Sequence, residues 1–108
     1  MTYWIAPSVN KRFTTYQQIM RYVAETCCVT EQEIVSRSRK RNLVDARHLA
    51  NFFIRRECIY MSLSSIGKLM GRDHATVIHS VKTYNQLITC DSAFKEKSML
   101  IELKIKQI

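Results

Sequence analysis

Residues 62–80, SLSSIGKLMGRDHATVIHS, contain the pattern that decides the fold. Ser62 or Ser64 can accept a backbone amide as the N-cap of a short helix, whose apolar residues follow at helical spacing. Gly71 then supplies a break, and Asp73 has the spacing to cap a second helix. A short helix, a glycine-containing turn and a second helix in this order form a helix-turn-helix.

The second helix of this motif has one apolar and one polar side. With successive residues placed about 100° apart, the apolar stripe consists of Val77, Val81, Tyr84 and Ile88. The opposite side carries Arg72, Ala75, His79 and Lys82, with Thr76 on its flank. We predict that the apolar side packs in the core while the start of the helix can enter a DNA major groove, which is about 12 Å wide.

Helical patterns also cover the rest of the chain. Apolar residues at three- and four-residue steps predict a helix over about 14–28 and a long core helix over 43–61. Thr30 and Glu33 have the spacing of a capping box, so a short helix should begin there. Only two glycines and one proline occur, so β-hairpins lack the turn residues that they need. The sequence therefore predicts an all-α fold.

The length and composition indicate one small domain. At 108 residues, of which 46% are hydrophobic and 24% charged, the chain can bury a single core. We expect an N-terminal arm over 1–13, the main domain over 14–90, and an amphipathic helix over 91–108 that packs on the same domain. The four cysteines lack zinc or redox spacing and are expected to be reduced, buried apolar residues.

Positive charge is concentrated in the middle of the chain. The formal net charge is +8, and residues 36–82 hold ten Lys or Arg against three acidic residues. The stretch SRSRKR, 36–41, has four cations in six positions and nothing apolar, so we predict an exposed basic loop. This excess indicates a polyanionic partner, and together with the helix-turn-helix it favours double-stranded DNA.

The residues of the motif are also similar to those of a known family. SLSSIGKLMGRDHATVIHS resembles the signature of the C-terminal DNA-binding domain of the bacterial replication initiator DnaA. In that family a Ser-Leu-Pro-x-Ile-Gly stretch leads into Gly-Gly-Arg-Asp-His-Thr-Thr-Val-x-His. The resemblance extends upstream through RSRKR and DARHLA, and it covers roughly 15–87.

This resemblance implies a helical domain that binds a short duplex DNA box through two elements. By position, residues 72–76 correspond to the turn and helix tip in the major groove, Arg39 to a minor-groove arginine, and Arg55 or Arg56 to a backbone-contacting lysine. The candidate DNA-binding residues are Arg37, Arg39, Lys40, Arg41, Arg47, Arg55, Arg56, Ser62, Arg72, Asp73, His74, Ala75, Thr76, His79 and Lys82. For Asp73 the role of an N-cap is an alternative that does not exclude a base contact.

Several positions differ from the family pattern. One glycine of the family's pair is missing before Arg72, and the segment over 59–61 is one residue longer. Ala75 replaces a threonine, Ser64 replaces a proline, and Asp45 stands where the family has arginine, which puts a negative charge near the DNA surface. We therefore expect a preferred DNA site other than the initiator's own box.

The sequence also shapes the expected biological role. It contains no G-x-x-x-x-G-K-[ST] nucleotide-binding loop, so we expect a stand-alone module without an ATPase. Such a module would act in replication initiation or transcription control, and a phage or another mobile element is one hypothesis for its origin. No apolar run approaches the ~18 residues of a membrane span, and we expect a cytoplasmic protein without a membrane partner.

Catalysis is the rival class of function. Asp73, His74 and His79 could be taken for metal ligands, but the two histidines are five positions apart and diverge by roughly 140° around a helix. Helical metal ligands commonly lie four residues apart on one face. No carboxylate pair or activated nucleophile is evident. We predict neither an enzyme nor a bound metal, cofactor or small-molecule substrate.

A protein-binding role is the second hypothesis. The apolar residues after Phe94 exceed one narrow stripe of a helix. The C-terminal helix could therefore form a homodimer, or act as an adaptor that captures a replication or transcription protein. RNA binding is a weaker alternative, because the aromatic residues that would stack on single-stranded bases are not found on a recognisable surface.

Overall fold

The structure, a computed structural model, describes residues 14–107 as a bundle of six helices. They are α1 Tyr16–Cys27, α2 Glu31–Ile34, α3 Arg41–Glu57, α4 Leu63–Leu69, α5 His74–Cys90 and α6 Ser92–Lys106. No strand occurs within this part of the chain. The all-α prediction is confirmed, whereas the predicted arm over 1–13 lies outside the described residues.

Local hydrogen bonds begin the first two helices where the sequence predicts. The hydroxyl of Thr15 accepts from the Gln18 amide, and the Gln18 side chain accepts from the Thr15 amide. Thr30 and Glu33 make the same reciprocal pair at 3.0 and 2.9 Å, which confirms the predicted capping box. These bonds satisfy amides that have no partner inside a helix.

The long helix α3 differs from its prediction at both ends. It begins at Arg41, inside the predicted basic loop, and it ends at Glu57 rather than near Met61. The chain leaves the helix at Cys58, and the amide of Met61 donates to the Cys58 carbonyl in a turn. Cys58 is nonetheless fully buried, and its thiol donates to the Thr14 carbonyl at 3.4 Å. Its apolar spacing reflects core packing from a turn, not from a helix.

The core lies around α3, which packs on α1, α2, α4 and α5. Phe53 and Ile54 are fully buried at its centre, and Phe52 stacks on Tyr84 of α5 with 3.6 Å between ring centroids. The C-terminal helix α6 packs on α1 and α5 and adds Phe94 to this cluster, edge-on to Tyr84 at 5.6 Å. Burying such rings is the main favourable term in the stability of a small domain.

The turn between α4 and α5 passes unusually close to α4. A Cβ atom at Gly67 would lie 2.6 Å from the Arg72 carbonyl oxygen, so any larger residue there would push the turn away. The Arg72 amide donates to the Gly67 carbonyl at 2.7 Å, and Gly71 takes a φ of +70°, which favours glycine. Gly67 and Gly71 therefore fix the position from which α5 starts.

The cysteines divide into two pairs. All four are free, and Cys27 and Cys58 are buried as predicted. Cys28 and Cys90 are exposed, contrary to the prediction. Cys28 is the left-handed C-cap of α1, with a φ of 57°, and Cys90 is the last residue of α5. Residues at helix ends need not follow the buried stripe of the helix.

Candidate nucleic-acid interface

Helix α5 presents a polar surface at its N-terminal end. Of the predicted apolar stripe, Val77 and Tyr84 are buried and Val81 and Ile88 are half-buried, so the helix has the orientation predicted from the helix wheel; Ser80 is buried as well. The outward side carries the exposed residues His74, Ala75, Thr76, His79 and Lys82. The first two turns of the helix are thus free to approach a groove of DNA.

Asp73 is the N-cap of α5, as the spacing predicted. One of its carboxylate oxygens accepts from the backbone amide of Thr76 at 2.9 Å and from the Thr76 hydroxyl at 2.9 Å. The bond from the backbone amide is the main cause that holds the pKa of Asp73 below its ordinary value. Asp73 remains an exposed residue at the tip of α5.

Arg72 connects the turn to the basic loop. Its guanidinium donates to the Met70 carbonyl at 2.6 Å and to the Ser36 carbonyl at 2.9 Å. Burial, and then the nearby charge of Arg37, lower the pKa of Arg72. Arg72 was predicted as a DNA contact, and in the structure most of its donors hold the loop against the start of α5.

Arg47 is buried, which argues against the direct DNA contact that the sequence suggested. Only 8% of the residue is exposed, and its guanidinium donates to the backbone carbonyls of Ile34, Ser36 and Ser38 at 2.6 to 2.8 Å. Burial also lowers the pKa of this arginine. Its five donors suit a loop whose carbonyls converge, so we assign Arg47 to the internal support of the basic loop.

The two supporting arginines meet at one atom. Arg47 and Arg72 both donate to the Ser36 carbonyl, from α3 and from the turn before α5. The loop that follows leaves Arg37, Arg39 and Lys40 exposed. The basic loop and the tip of α5 therefore belong to one continuous surface.

An open cleft of about 540 Å³ joins the two elements. Its walls are formed by Arg37, Lys68, Gly71, Arg72, Asp73 and Thr76. Lys68 is exposed on the last turn of α4 and was not among the predicted site residues. Its place in the short helix of the motif, directly before the turn, was the signal that could have identified it.

Three other predicted residues have partners within the fold. Arg41 pairs with Asp45 and Asp91, each at 3.1 Å, and Ser62 accepts the Ser65 amide as the N-cap of α4. Arg56 makes two bonds to Glu102 of α6, at 2.6 and 2.7 Å. Part of the positive charge in the middle of the chain, that of Arg41 and Arg56, therefore pairs with acidic residues of the same fold.

Arg56 in particular serves the attachment of α6. Its guanidinium also bonds Glu57 and lies over the rings of Phe52 and Phe53 at 5.7 and 5.1 Å. The bond from Arg56 is the main cause that lowers the pKa of Glu102. Arg55, the other candidate for the backbone-contacting position, is exposed. This geometry favours Arg55 over Arg56 for that role.

Comparison with known proteins agrees with this architecture. The family described as the bacterial dnaA protein helix-turn-helix matches residues 16–83. The chain belongs to this family. The match covers α1 to α4 and the N-terminal part of α5, which together carry the whole candidate interface.

Curated relatives carry the name chromosomal replication initiator protein DnaA. The one from Flavobacterium psychrophilum is 40% identical over 87 residues, which is 80% of this chain and 18% of the relative. The one from Nautilia profundicola is 35% identical over 98 residues, or 90% and 22% of the two chains. The present chain thus spans about a fifth of the length of these relatives.

The structure accounts for two of the departures from the DnaA pattern. Met70 precedes Gly71, where the family has another glycine, and it adopts an ordinary right-handed conformation with its side chain fully buried. Asp45, in place of an arginine, is 7% exposed and is paired with Arg41. Both substitutions are therefore compatible with the DnaA-type turn and with a positive surface.

His48 of α3 lies directly beneath α5. Its Nδ1 atom is 2.6 Å from the Ser80 hydroxyl of α5. Burial is the main cause that lowers its pKa, the negative charge of Asp45 opposes this, and His79, Arg47 and Arg41 add to the lowering. The neutral imidazole is consequently the form that the folded protein prefers.

This preference predicts a stability that falls in mild acid. The unfolded chain protonates His48 near its ordinary pKa of 6.5, while the folded chain takes up that proton only at lower pH. The contribution of the neutral His48 side chain to the free energy of unfolding is therefore complete above about pH 6.5 and is lost as the pH falls below that value. We expect the urea midpoint to be lower at about pH 5.5 than at about pH 7.5.

His48→Gln should show a smaller decline of the urea midpoint between these pH values. His74→Gln, at an exposed position, should show the same decline as the wild type. An equal decline in the wild type and His48→Gln would contradict the assignment.

Two further kinds of feature, metal sites and membrane-spanning helices, are absent from residues 14–107. Within residues 14–107, no three His, Cys, Asp or Glu side chains come together in a way that could hold a metal ion. Among the same residues, no helix has the length and apolar character of a membrane span.

Proposed function

We propose that this chain binds double-stranded DNA sequence-selectively, with the start of α5 in the major groove and the loop over 36–41 in the adjacent minor groove. The observation that carries the proposal is the shared bonding of Arg47 and Arg72 to the Ser36 carbonyl, at 2.8 and 2.9 Å. This contact holds the exposed loop cations beside the recognition helix before DNA arrives. A preformed surface avoids the entropic cost of ordering a basic loop on binding.

Each element offers a suitable chemistry. His74 and Ala75 are exposed at the tip of α5, where they can reach base edges, and Asp73 can accept a hydrogen bond from a cytosine amino group. Lys68 and Arg37 border the cleft at this tip and are suited to phosphates. Arg39 is exposed in the loop and is suited to a narrow minor groove, whose negative potential attracts arginine.

The proposed role is control of replication initiation or of transcription at the bound DNA site. Support for replication comes from the relatives, which are named as chromosomal replication initiators. We place the protein in the cytoplasm, on chromosomal or mobile-element DNA, because this is where such duplex sites are available. The proposal assigns no catalytic step to this domain.

A binding selection on random duplexes tests the sequence-selective part of the proposal. The wild type is expected to enrich one short motif, because direct contacts to base edges discriminate between base pairs. His74→Ala and Arg39→Ala should each weaken binding to that motif by about 1 to 3 kcal/mol while changing the affinity for unrelated duplexes less. Affinities are measured by fluorescence anisotropy at one fixed salt concentration.

Lys95→Ala on α6 is a matched control for the loss of one exposed cation and should leave the preference unchanged. If no motif is enriched, or if His74→Ala weakens all duplexes equally, the protein does not discriminate sequence through α5. In that case the surface would bind DNA through its phosphates alone.

A protein-contact role is the second candidate function, and it concerns α6. Met99 and Leu103 are 58% and 56% exposed on this helix. Truncation of the helix cannot test the role, because Phe94 and Ile101 belong to the core. Met99→Glu is the better probe. Retained DNA affinity together with lost protein assembly would assign α6 to protein contacts, and unchanged assembly would reject this candidate.

A further inference from the structure

Helix α6 has apolar residues on two opposite sides. One side, made of the apolar residues Phe94, Ile101 and Ile105 together with the polar Ser98, is buried against α1 and α5. The opposite side carries Met99, Leu100 and Leu103, which are 58%, 48% and 56% exposed. At about 100° per residue, the centres of the two sides lie roughly half a turn apart. A helix that serves only to cover the core needs apolar residues on the first side alone.

The exposed side also has opposite charges at its two ends. Glu96 precedes Met99 by one turn, Lys106 follows Leu103 by about one turn, and both charged residues are exposed. They are ten positions apart, or about 15 Å along the helix. We define the outer stripe of α6 as Glu96, Met99, Leu100, Leu103 and Lys106. An acidic end, an apolar centre and a basic end follow each other along it.

We propose that the outer stripe binds the outer stripe of a second copy of this chain, with the two α6 helices antiparallel. The two-fold axis would pass between the two outer stripes at the height of residue 101 along each helix. In this register Met99 of each copy lies against Leu103 of the other. Glu96 of each copy lies against Lys106 of the other. A two-fold interface must be complementary to itself in this way, because every contact occurs twice with the roles exchanged.

The charges select the antiparallel register and a second copy as the occupant. A parallel pair would place Glu96 against Glu96 and Lys106 against Lys106, which is repulsive. Two charges beside the outer stripe are already used within the chain. Glu102 bonds Arg56 at 2.6 Å, and Lys104 bonds Glu25 at 3.0 Å. The outer stripe itself keeps Glu96 as its acid and Lys106 as its base for contacts outside the chain, and the exposed Lys95 lies beside Glu96 at the edge of the stripe.

The interface is small, so the association should be weak. Three exposed apolar side chains per copy bury less area than a standard protein interface. We expect a dissociation constant in the range of about 10 µM to 1 mM in the absence of DNA. The two recognition surfaces of such a dimer would then face two DNA sites together, which raises the apparent affinity for paired sites.

Charge exchange along the outer stripe gives the sharpest test. The full chain is examined by analytical ultracentrifugation without DNA, so the result is independent of the proposed DNA binding. Glu96→Lys alone and Lys106→Glu alone should each associate about tenfold more weakly than the wild type, because two attractive pairs become repulsive. An equal mixture of these two variants should associate like the wild type, because both pairs between unlike chains are attractive.

The apolar centre provides the second arm of the test. Leu103→Glu is expected to keep the chain monomeric throughout the concentration range, since each copy would bury a carboxylate. Ile59→Glu is the matched control, because Ile59 is 86% exposed in the connection between α3 and α4, and it should associate like the wild type. A wild-type chain that stays monomeric at about 1 mM overturns the proposal and leaves the stripe to another protein. Equal weakening by Leu103→Glu and Ile59→Glu, or a mixture no stronger than its components, also overturns it.

Discussion

Arg47→Ala is expected to destabilise the protein by about 3 kcal/mol or more. The guanidinium of Arg47 is the partner of three backbone carbonyls in and around the basic loop, and the residue is 8% exposed. Removing it takes the Arg47 donors away from the Ile34 and Ser38 carbonyls and leaves the Ser36 carbonyl with Arg72 alone, in a place that water reaches poorly. Urea denaturation followed by circular dichroism measures the change.

Two substitutions separate this structural role from a direct DNA contact. Arg47→Lys keeps the charge but cannot reach several carbonyls at once, so we expect a substantial part of the loss to remain. Arg39→Ala removes an exposed arginine from the same loop and should leave the free energy of unfolding within about 0.5 kcal/mol of the wild-type value. If Arg47→Ala folds as stably as the wild type while DNA affinity falls, Arg47 contacts DNA and the internal role is wrong.

Replacing Arg37 and Lys40 together by glutamine should weaken DNA binding by roughly 60-fold at 0.1 M salt. Both cations are exposed in the basic loop, and Arg37 borders the cleft at the tip of α5. If each neutralises one phosphate, the slope of log affinity against log salt should become shallower by about 1.8. Titrations of one duplex at several salt concentrations give both quantities.

A double variant of equal charge provides the control. Arg21→Gln with Lys95→Gln removes two exposed cations from α1 and α6, outside the basic loop. We expect its salt slope to stay close to that of the wild type, because these residues lie outside the proposed interface. Equal slopes for the two double variants would mean that only the net charge of +8 matters and that the loop has no specific place on DNA.

The helix-turn-helix was predictable because its signals are local. Thr30 and Asp73 bond amides three positions away, so their spacing in the sequence is already the geometry of the cap. Gly67 and Gly71 are likewise explained by the few residues that follow them. Gly67 lies against the Arg72 carbonyl, and Gly71 needs a positive φ.

The roles of the arginines could not be predicted in the same way. Arg39 and Arg47 both belong to the basic middle of the chain, yet one is exposed and the other is buried under the loop. The partners of Arg47 are backbone carbonyls, and the direction of a carbonyl leaves no mark in the residue pattern. Arg56 shows the same limit, since its carboxylate partner Glu102 lies on another helix, far along the chain.

The sequence also could not predict which of the two apolar sides of α6 is buried. Its sequence offers Phe94, Ile101 and Ile105 on one side and Met99 and Leu103 on the other, with similar apolar character. Periodicity locates two stripes but does not rank them. Contact with α1 and α5 decided which stripe is buried, and it left the other exposed.

The sequence by itself determined the helical class, the caps of α2 and α5, the glycine-dependent turn and the polar outer side of α5. These features depend on atoms a few residues apart, whose distances are set by the backbone conformation of one helical turn. Only the tertiary structure decided which cations are free for DNA, where α3 ends and which side of α6 remains open. A long charged side chain or an amphipathic helix has several possible partners, and the choice depends on which distant segments the packed core brings within bonding distance.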